Sequence, residues 1–304
     1  MSLLSRLKPP GPNGFGYAST ADEVTRGLEL GGKTFLLTGC NSGLGRETLR
    51  VLSARGARVL AAARSLDKAR EACAIGAGLA TPLACDLAEP ESVRACVAEV
   101  DKMGVELAAI ICNAGIMALP ELTLKHGYEA QFFTNHIGHF LLVTGLVSKL
   151  APDGRVVMVS SEAHRRAPAA GIEFDNLKGQ RSYRPWTAYG QSKLANLLFA
   201  RELSRRLPGP RQLSNALHPG VIATNLTRSM PLVAQLGMRA LTPIALKSIA
   251  QGAATQCYVA AHPAVAENGE YFSDCNVKRS TRLGSDTRLA RELWDVSERI
   301  ARDV

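Results

Sequence analysis

The sequence predicts a doubly wound α/β fold: a parallel sheet of about seven strands with helices on both faces. Three observations lead there. Short apolar runs rich in Val, Ile and Leu recur along the chain, separated by longer stretches with helical spacing. These runs are continuously apolar rather than alternating, which suits strands buried on both faces, and strands of that kind belong to parallel sheets joined by right-handed helical crossovers. No internal repeat, low-complexity linker or compositional break divides the 304 residues, so one domain is expected although the length alone would allow two.

The elements follow in order. Residues 1–30 hold Pro9, Pro10, Gly11, Pro12, Gly14 and Gly16, a composition that breaks helix and strand alike and reads as an extended N-terminal arm. Residues 31–304 form the domain proper. Strands are expected at Thr34–Thr38, Arg58–Ala63, Ala80–Ala84, Val105–Cys112, Arg155–Ser160 and Gln212–Ala216, with a weaker one at Glu270–Phe272. Helical spacing marks Leu44–Arg55, Glu91–Met103, Leu122–Leu150 and Tyr189–Leu207.

Composition narrows the function. With 46% hydrophobic and 21% charged residues, the chain can bury a full core, so disordered and fibrous classes drop out. No apolar run approaches the roughly 18 residues of a membrane span, and Met1 to Lys8 lacks a signal-peptide core. A cytoplasmic protein without a membrane span is expected. Seven cysteines without any Cys-x-x-Cys fit a reducing compartment and buried free thiols. The formal charge of +9 would suit a polyanion or a phosphorylated cofactor, but the basic residues are scattered and only 5% of residues are aromatic, which argues against nucleic acid.

Gly27-Leu28-Glu29-Leu30-Gly31-Gly32-Lys33-Thr34 matches a phosphate-binding P-loop letter for letter, yet it precedes a strand where a P-loop must follow one. Directly after the first strand stands Thr38-Gly39-Cys40-Asn41-Ser42-Gly43-Leu44-Gly45, where letters and context agree. Gly39 permits the tight turn, Gly43 lets backbone approach a pyrophosphate, and Gly45 allows helix to pack on strand, as in a Rossmann dinucleotide site. The helix that starts within it offers free N–H groups to phosphate. Polar or special residues then recur at the carboxyl ends of the strands, where open α/β sheets bind ligands: Thr38 and Gly39, Arg64, Asp86, Asn113, Ser160 and Ser161, and Pro219 with Gly220. Arg64, 19 residues beyond Gly45, replaces the acidic residue of an NAD site and points to NADP(H), with NAD(H) as the alternative.

Tyr189-Gly190-Gln191-Ser192-Lys193 places Tyr189 and Lys193 at i and i+4, on one helix face. A phenol is a poor acid at neutral pH, but a neighbouring ammonium together with an oxidised, positive nicotinamide favours its ionised form and lowers its pKa. Tyr189 is then a candidate general acid/base for an alcohol–carbonyl pair, and Ser161 can donate a hydrogen bond to the substrate oxygen.

In these residues the chain resembles the short-chain dehydrogenase/reductase family, in its retinol-dehydrogenase-like branch that includes WW-domain oxidoreductases. The resemblance rests on Thr38–Gly45, Asn113-Ala114-Gly115, Asn135-His136-Ile137-Gly138-His139-Phe140, Val159-Ser160-Ser161, Tyr189–Asn196 and His218-Pro219-Gly220. It implies a catalytic tetrad of Asn135, Ser161, Tyr189 and Lys193, with Ser161 rather than Ser160 as the functional serine. It also implies that Lys193 holds the nicotinamide ribose, that Asn135 supports a proton-relay water, that Asp86 lies at the adenine, and that Thr224 meets the carboxamide. The expected cofactor site draws on Gly39, Asn41, Ser42, Gly43, Leu44 and Gly45, on Arg64, Asp86 and Leu87, on Asn113, Ala114 and Gly115, on Tyr189 and Lys193, and on Pro219, Gly220, Val221 and Thr224. The resemblance further makes the apolar stretch near 222–249 a substrate lid suited to a lipophilic alcohol, aldehyde or ketone.

His136 and His139 lie at i and i+3 but lack a third partner, so no metal site is expected. Asn225-Leu226-Thr227 fits a glycosylation acceptor that a cytoplasmic chain would not use. An NADP(H)-dependent oxidoreductase is the leading reading. A nucleotide-binding scaffold without turnover is the alternative, and self-association into a homo-oligomer stays open.

Overall fold

The computed structural model describes residues 7–222 and 246–304. Expectations for Thr224, for Asn225-Leu226-Thr227 and for most of the segment near 222–249 lie outside the described residues.

Eight strands form the central sheet: β1 (Thr34–Thr38), β2 (Arg58–Ala63), β3 (Ala80–Ala84), β4 (Leu107–Cys112), β7 (Leu150–Val159), β8 (Leu213–His218), β9 (Tyr271–Ser273) and β10 (Asn276–Val277). A separate hairpin pairs β5 (Leu124–Lys125) with β6 (Tyr128–Glu129). The sheet order is β10-β9-β8-β7-β4-β1-β2-β3; every pairing is parallel except that of β10 with β9. The expected parallel strands are therefore present, and the antiparallel β10 extends the edge beyond them. β1 is buried along its whole length, which is the burial its uninterrupted apolar run requires.

The helices are α1 (Ala21–Val24), α2 (Gly43–Ala54), α3 (Leu66–Cys73), α4 (Pro90–Lys102), α5 (Gly138–Leu146), α6 (Pro185–Leu203), α7 (Ile249–Ala261) and α8 (Thr287–Asp303). One core layer packs α2 and α7 on one sheet face through Leu49, Leu52, Val259 and Phe35. The opposite layer joins α4, α5 and α6 through Val93, Phe140, Phe199 and Leu36. α6 is buried almost all round because α8 lies over it, presenting Leu289, Leu293 and Ile300. Asp286 caps α8 by accepting the amides of Arg288 and Leu289 at 2.9 and 3.0 Å.

Two expectations change. The N-terminal arm is not wholly extended: a capping box between Thr20 and Glu23 starts α1, and Phe15 packs edge-on against Tyr258 at 5.6 Å. The helix expected over Leu122–Leu150 begins only at Ala130, because His126 and Gly127 both take positive φ (47° and 81°) and turn the preceding residues into the β5–β6 hairpin. The same helix carries a π-turn at Phe133–Ile137, which brings Asn135 inside it.

From β1 the chain winds outward through β2 and β3, then returns to place β4 on the other side of β1. The carboxyl ends of β1 and β4 therefore flank the reversal of strand order, the place where such sheets bind ligands.

Candidate active site

Gly39 and Asn113 meet at this reversal. Gly39 takes φ +69° and Gly43 φ +52°, so the turn uses a backbone conformation that side chains disfavour. A Cβ on Gly45 would stand 2.1 Å from the Gly39 carbonyl oxygen, so only glycine lets α2 sit this close to β1. Ser42 precedes α2 without capping it through its side chain, and the first turn carries no acidic residue. The amides of that helix end are thus left without a side-chain cap beside the glycine turn, and the residues present fit a dinucleotide's phosphates. Leu44 is buried, Asn41 exposed, and Ser42 half-buried at its mouth. Arg64 follows β2 and is exposed.

Thr38 ties the turn to the next loop. Its hydroxyl oxygen accepts the amides of Asn113 and Ala114, both at 3.0 Å, while the Asn113 side-chain amide donates to the Thr38 carbonyl at 2.8 Å. The ring of His139 completes the link: Nδ1–H donates to the Asn135 carbonyl at 2.9 Å, which leaves Nε2 to accept the Thr38 hydroxyl at 3.0 Å. Burial, with the Lys193 charge nearby, pushes His139 down to about 4, so this ring is neutral. His136 is also buried; its Nε2 lies 2.7 Å from Ser297 Oγ, and burial holds it near a pKa of about 3. Both histidines are structural members of the core, and among the described residues no cluster of three or more metal-binding side chains occurs.

Asp86 is occupied locally. Its carboxylate accepts the Ala88 amide at 3.0 Å, its own amide donates to Ser92 Oγ at 2.9 Å, and Leu87 beside it is buried against α5 at Gly138. Pro219, Gly220 and Val221 follow β8, with Gly220 at φ +102° and Val221 exposed.

The structure brings Asn135, Ser161, Tyr189 and Lys193 together. α6 starts at Pro185, one turn before Tyr189, where proline suits the first helical position. Lys193 Nζ lies 5.7 Å from the centre of the Tyr189 ring, as the i, i+4 spacing requires, and donates to the Val159 carbonyl at 3.0 Å. Ser161 Oγ accepts the Ala163 amide at 3.1 Å and lies beside the Tyr189 phenol, close enough to counter the upward shift of its pKa. Ser160 turns away, its hydroxyl donating to the Lys193 carbonyl at 2.6 Å, so the neighbouring serines are sorted by the direction each faces. Asn135 is fully buried: its Oδ1 accepts the Ile116 amide at 2.8 Å and its Nδ2 donates to the Ile116 carbonyl at 2.9 Å and to Ser192 Oγ at 2.9 Å. Gly115 keeps the space between them open, since a Cβ there would lie 3.1 Å from Asn135 Oδ1 and 3.4 Å from Lys193 Nζ.

Burial dominates the protonation of this cluster. It pushes the Tyr189 phenol up to about 12, with the neighbouring Ser161 opposing it, and pushes Lys193 down to about 8. In the protein without cofactor, burial thus sets the direction of the Tyr189 shift. Trp186, one turn before Tyr189, stands edge-on to it at 6.1 Å under the Arg166 guanidinium at 5.0 Å. Sequence reasoning passed over Trp186, although its i, i+3 spacing to Tyr189 was the available signal.

A model of the short chain dehydrogenase family matches residues 33–232. The protein is a member of the short-chain dehydrogenase family. Like the family, it is an oxidoreductase acting on CH–OH donors with NAD(P) as acceptor. The chain is 40% identical over 309 residues to short-chain dehydrogenase TIC 32 A, chloroplastic, of Brassica napus, covering 97% of this chain and 96% of that one. It is 38% identical to human retinol dehydrogenase 14, over 88% of this chain and 85% of the relative. Among solved structures, a short chain dehydrogenase from Burkholderia cenocepacia in complex with NADP superposes with a TM-score of 0.64 at 25% identity, covering 80% of this chain and 96% of that one. Within this short-chain dehydrogenase, no helix among the described residues is long and apolar enough to cross a membrane.

Proposed function

We propose that this short-chain dehydrogenase interconverts a lipophilic alcohol and its aldehyde or ketone with NADP(H), NAD(H) being the weaker alternative, and that Asn135, Ser161, Tyr189 and Lys193 do the chemistry. One observation carries the reading: a buried tyrosine beside Ser161, with the Lys193 ammonium 5.7 Å from its ring on the same helix face and Gly115 packed against Lys193 and Asn135. When bound, the nicotinamide exchanges a hydride with the carbinol carbon. In the reductive direction Tyr189 gives its hydroxyl proton to the carbonyl oxygen, and Ser161 donates a hydrogen bond to the same oxygen as charge develops there. The Lys193 ammonium then faces a phenolate, and that opposite charge favours both ionised forms over the protein alone. Asn135 holds the Ile116 backbone, and with it the Asn113-Ala114-Gly115 loop, in register with the tyrosine.

The phosphorylated cofactor is supported by Arg64, exposed at the end of β2 with no acidic residue in its place, and the solved relative bound to NADP is consistent with it. A lipophilic substrate is supported by exposed apolar side chains, Val221 and Ile249, on the two shoulders of the segment between them, and by Trp186 beside Tyr189. Relatives are named retinol dehydrogenases, which agrees with a long apolar substrate. A reducing compartment such as the cytoplasm suits seven cysteines that are all free. The test is a panel of aldehydes and ketones of rising chain length, read by loss of NADPH absorbance. kcat/KM should rise with chain length, because each methylene buried contributes roughly 0.8 kcal/mol. A flat series, or a preference for small charged sugars, would reject the lipophilic substrate and leave the oxidoreductase in place.

A further inference from the structure

After β8 the chain passes through Pro219, Gly220 and Val221, and the underside of that turn is filled by a charged side chain from far along the sequence. Lys247 donates its amide to the Val221 carbonyl at 3.0 Å and bridges in parallel to Ile222. Its stem occupies the place of the side chain that Gly220 lacks: a Cβ on Gly220 would stand 2.6 Å from Lys247 Cδ. The Lys247 side chain is 0% exposed, an uncommon place for a lysine. It needs an opposite charge, and the Asp274 carboxylate supplies one at 2.6 Å.

Asp274 reaches this position at a conformational cost. Asp274 and Cys275, between β9 and β10, both take positive φ (53° and 62°), consecutive non-glycine residues in the left-handed region. The surroundings hold them there. The Cys275 amide donates to Thr255 Oγ1 at 3.2 Å, the Asn13 side chain donates to the Cys275 carbonyl at 2.7 Å, and Asn276 Nδ2 donates to the Phe15 carbonyl at 3.0 Å. The N-terminal arm is thus strapped to the β9–β10 turn, and it lays the Tyr17 ring 4.9 Å from the Lys247 ammonium, with Lys8 4.5 Å from the same ring.

We propose that Lys247 is a positioning residue for the cofactor-facing Pro219-Gly220-Val221 turn, set by Asp274 and covered by Tyr17 of the N-terminal arm. The arm is then part of the binding architecture. This rests on the reading of that turn as a cofactor contact. Lys247 touches neither cofactor nor substrate; its stem fixes where the turn's backbone lies.

The test separates position from stability. Asp274→Gly removes the carboxylate, while glycine tolerates φ +53° without strain, so the fold loses an ion pair and gains relief at one residue. In the full-length protein, NADPH affinity is read by direct fluorescence titration and Tm is read on the protein alone. We expect the NADPH Kd to rise about tenfold in Asp274→Gly, with a lowered Tm because Lys247 is left buried without its counter-charge. kcat at saturating NADPH should stay within about twofold. Lys247→Met, which keeps a stem under Gly220 but not the charge, should raise Kd similarly, and Tyr17→Ala about threefold. An unchanged Kd in Asp274→Gly overturns the proposal, as does a rise that Lys247→Met fails to reproduce. If the parent protein binds neither NADPH nor NADH, the functional reading itself falls, a result distinct from a parent that binds and a variant that binds equally well.

Discussion

Acidification should unfold this protein well above the pH at which most carboxylates titrate. His136, His139 and His218 are buried and neutral, their pKa values pushed down by burial to about 3, 4 and 4 from an ordinary 6.5. Below pH 6.5 the unfolded chain takes up protons on all three while the folded chain does not. Their stabilisation is therefore complete above that pH and is lost as pH falls toward 4. Each contributes a limiting slope of about 1.4 kcal/mol per pH unit, and the three together cost about 5 kcal/mol between pH 7 and pH 5. That is comparable to the whole stability of an ordinary domain. Glu129, whose carboxyl burial raises, opposes the trend, and His164, lowered by burial, adds to it. Urea unfolding followed by circular dichroism at pH 7, 6 and 5 measures the slope, and His136→Gln should flatten it by about a third. If stability changes by less than about 1 kcal/mol across that range, the buried histidines are not held neutral and the reasoning fails.

Three further outcomes are expected. Tyr189→Phe should lose about 10²-fold or more in kcat while its NADPH affinity, read by fluorescence titration, stays near that of the parent; substantial turnover would contradict its role as general acid. Gly45→Ala drives a Cβ against the Gly39 carbonyl and within 2.7 Å of Asn113 Nδ2, so urea melts should show a loss of at least about 2 kcal/mol together with weakened NADPH binding. Arg64→Asp should move the NADPH over NADH preference in kcat/KM toward NADH by about tenfold or more, since a guanidinium–phosphate contact is worth roughly 1.5–3 kcal/mol.

Local chemistry made much of the fold legible. β1, β2 and β4 are buried mainly through Phe, Leu, Val, Ile and Ala, the continuous apolar composition of strands covered on both faces. Thr38–Gly45 announced the turn because glycine is the residue whose absence of a Cβ is itself the requirement, and Tyr189 with Lys193 announced their shared face because helical spacing is local. What the sequence concealed depends on residues distant in the chain. The β5–β6 hairpin interrupts an apolar stretch whose periodicity looks helical, and it turns on a His126-Gly127 pair that is a weaker hairpin signal than Asn-Gly. The protonation of Tyr189 follows burial by the surrounding elements rather than the one lysine four residues away. The His139–Thr38 link spans 101 positions, and the clamp of Tyr17, Lys247 and Asp274 joins both ends of the chain. Sequence alone determined the strands, the glycine turn and the side chains able to move a proton, because spacing and side-chain volume act over a few residues. Only the tertiary structure decided which charges are desolvated and what supports Gly220 from beneath, because burial and electrostatics are properties of neighbours in space.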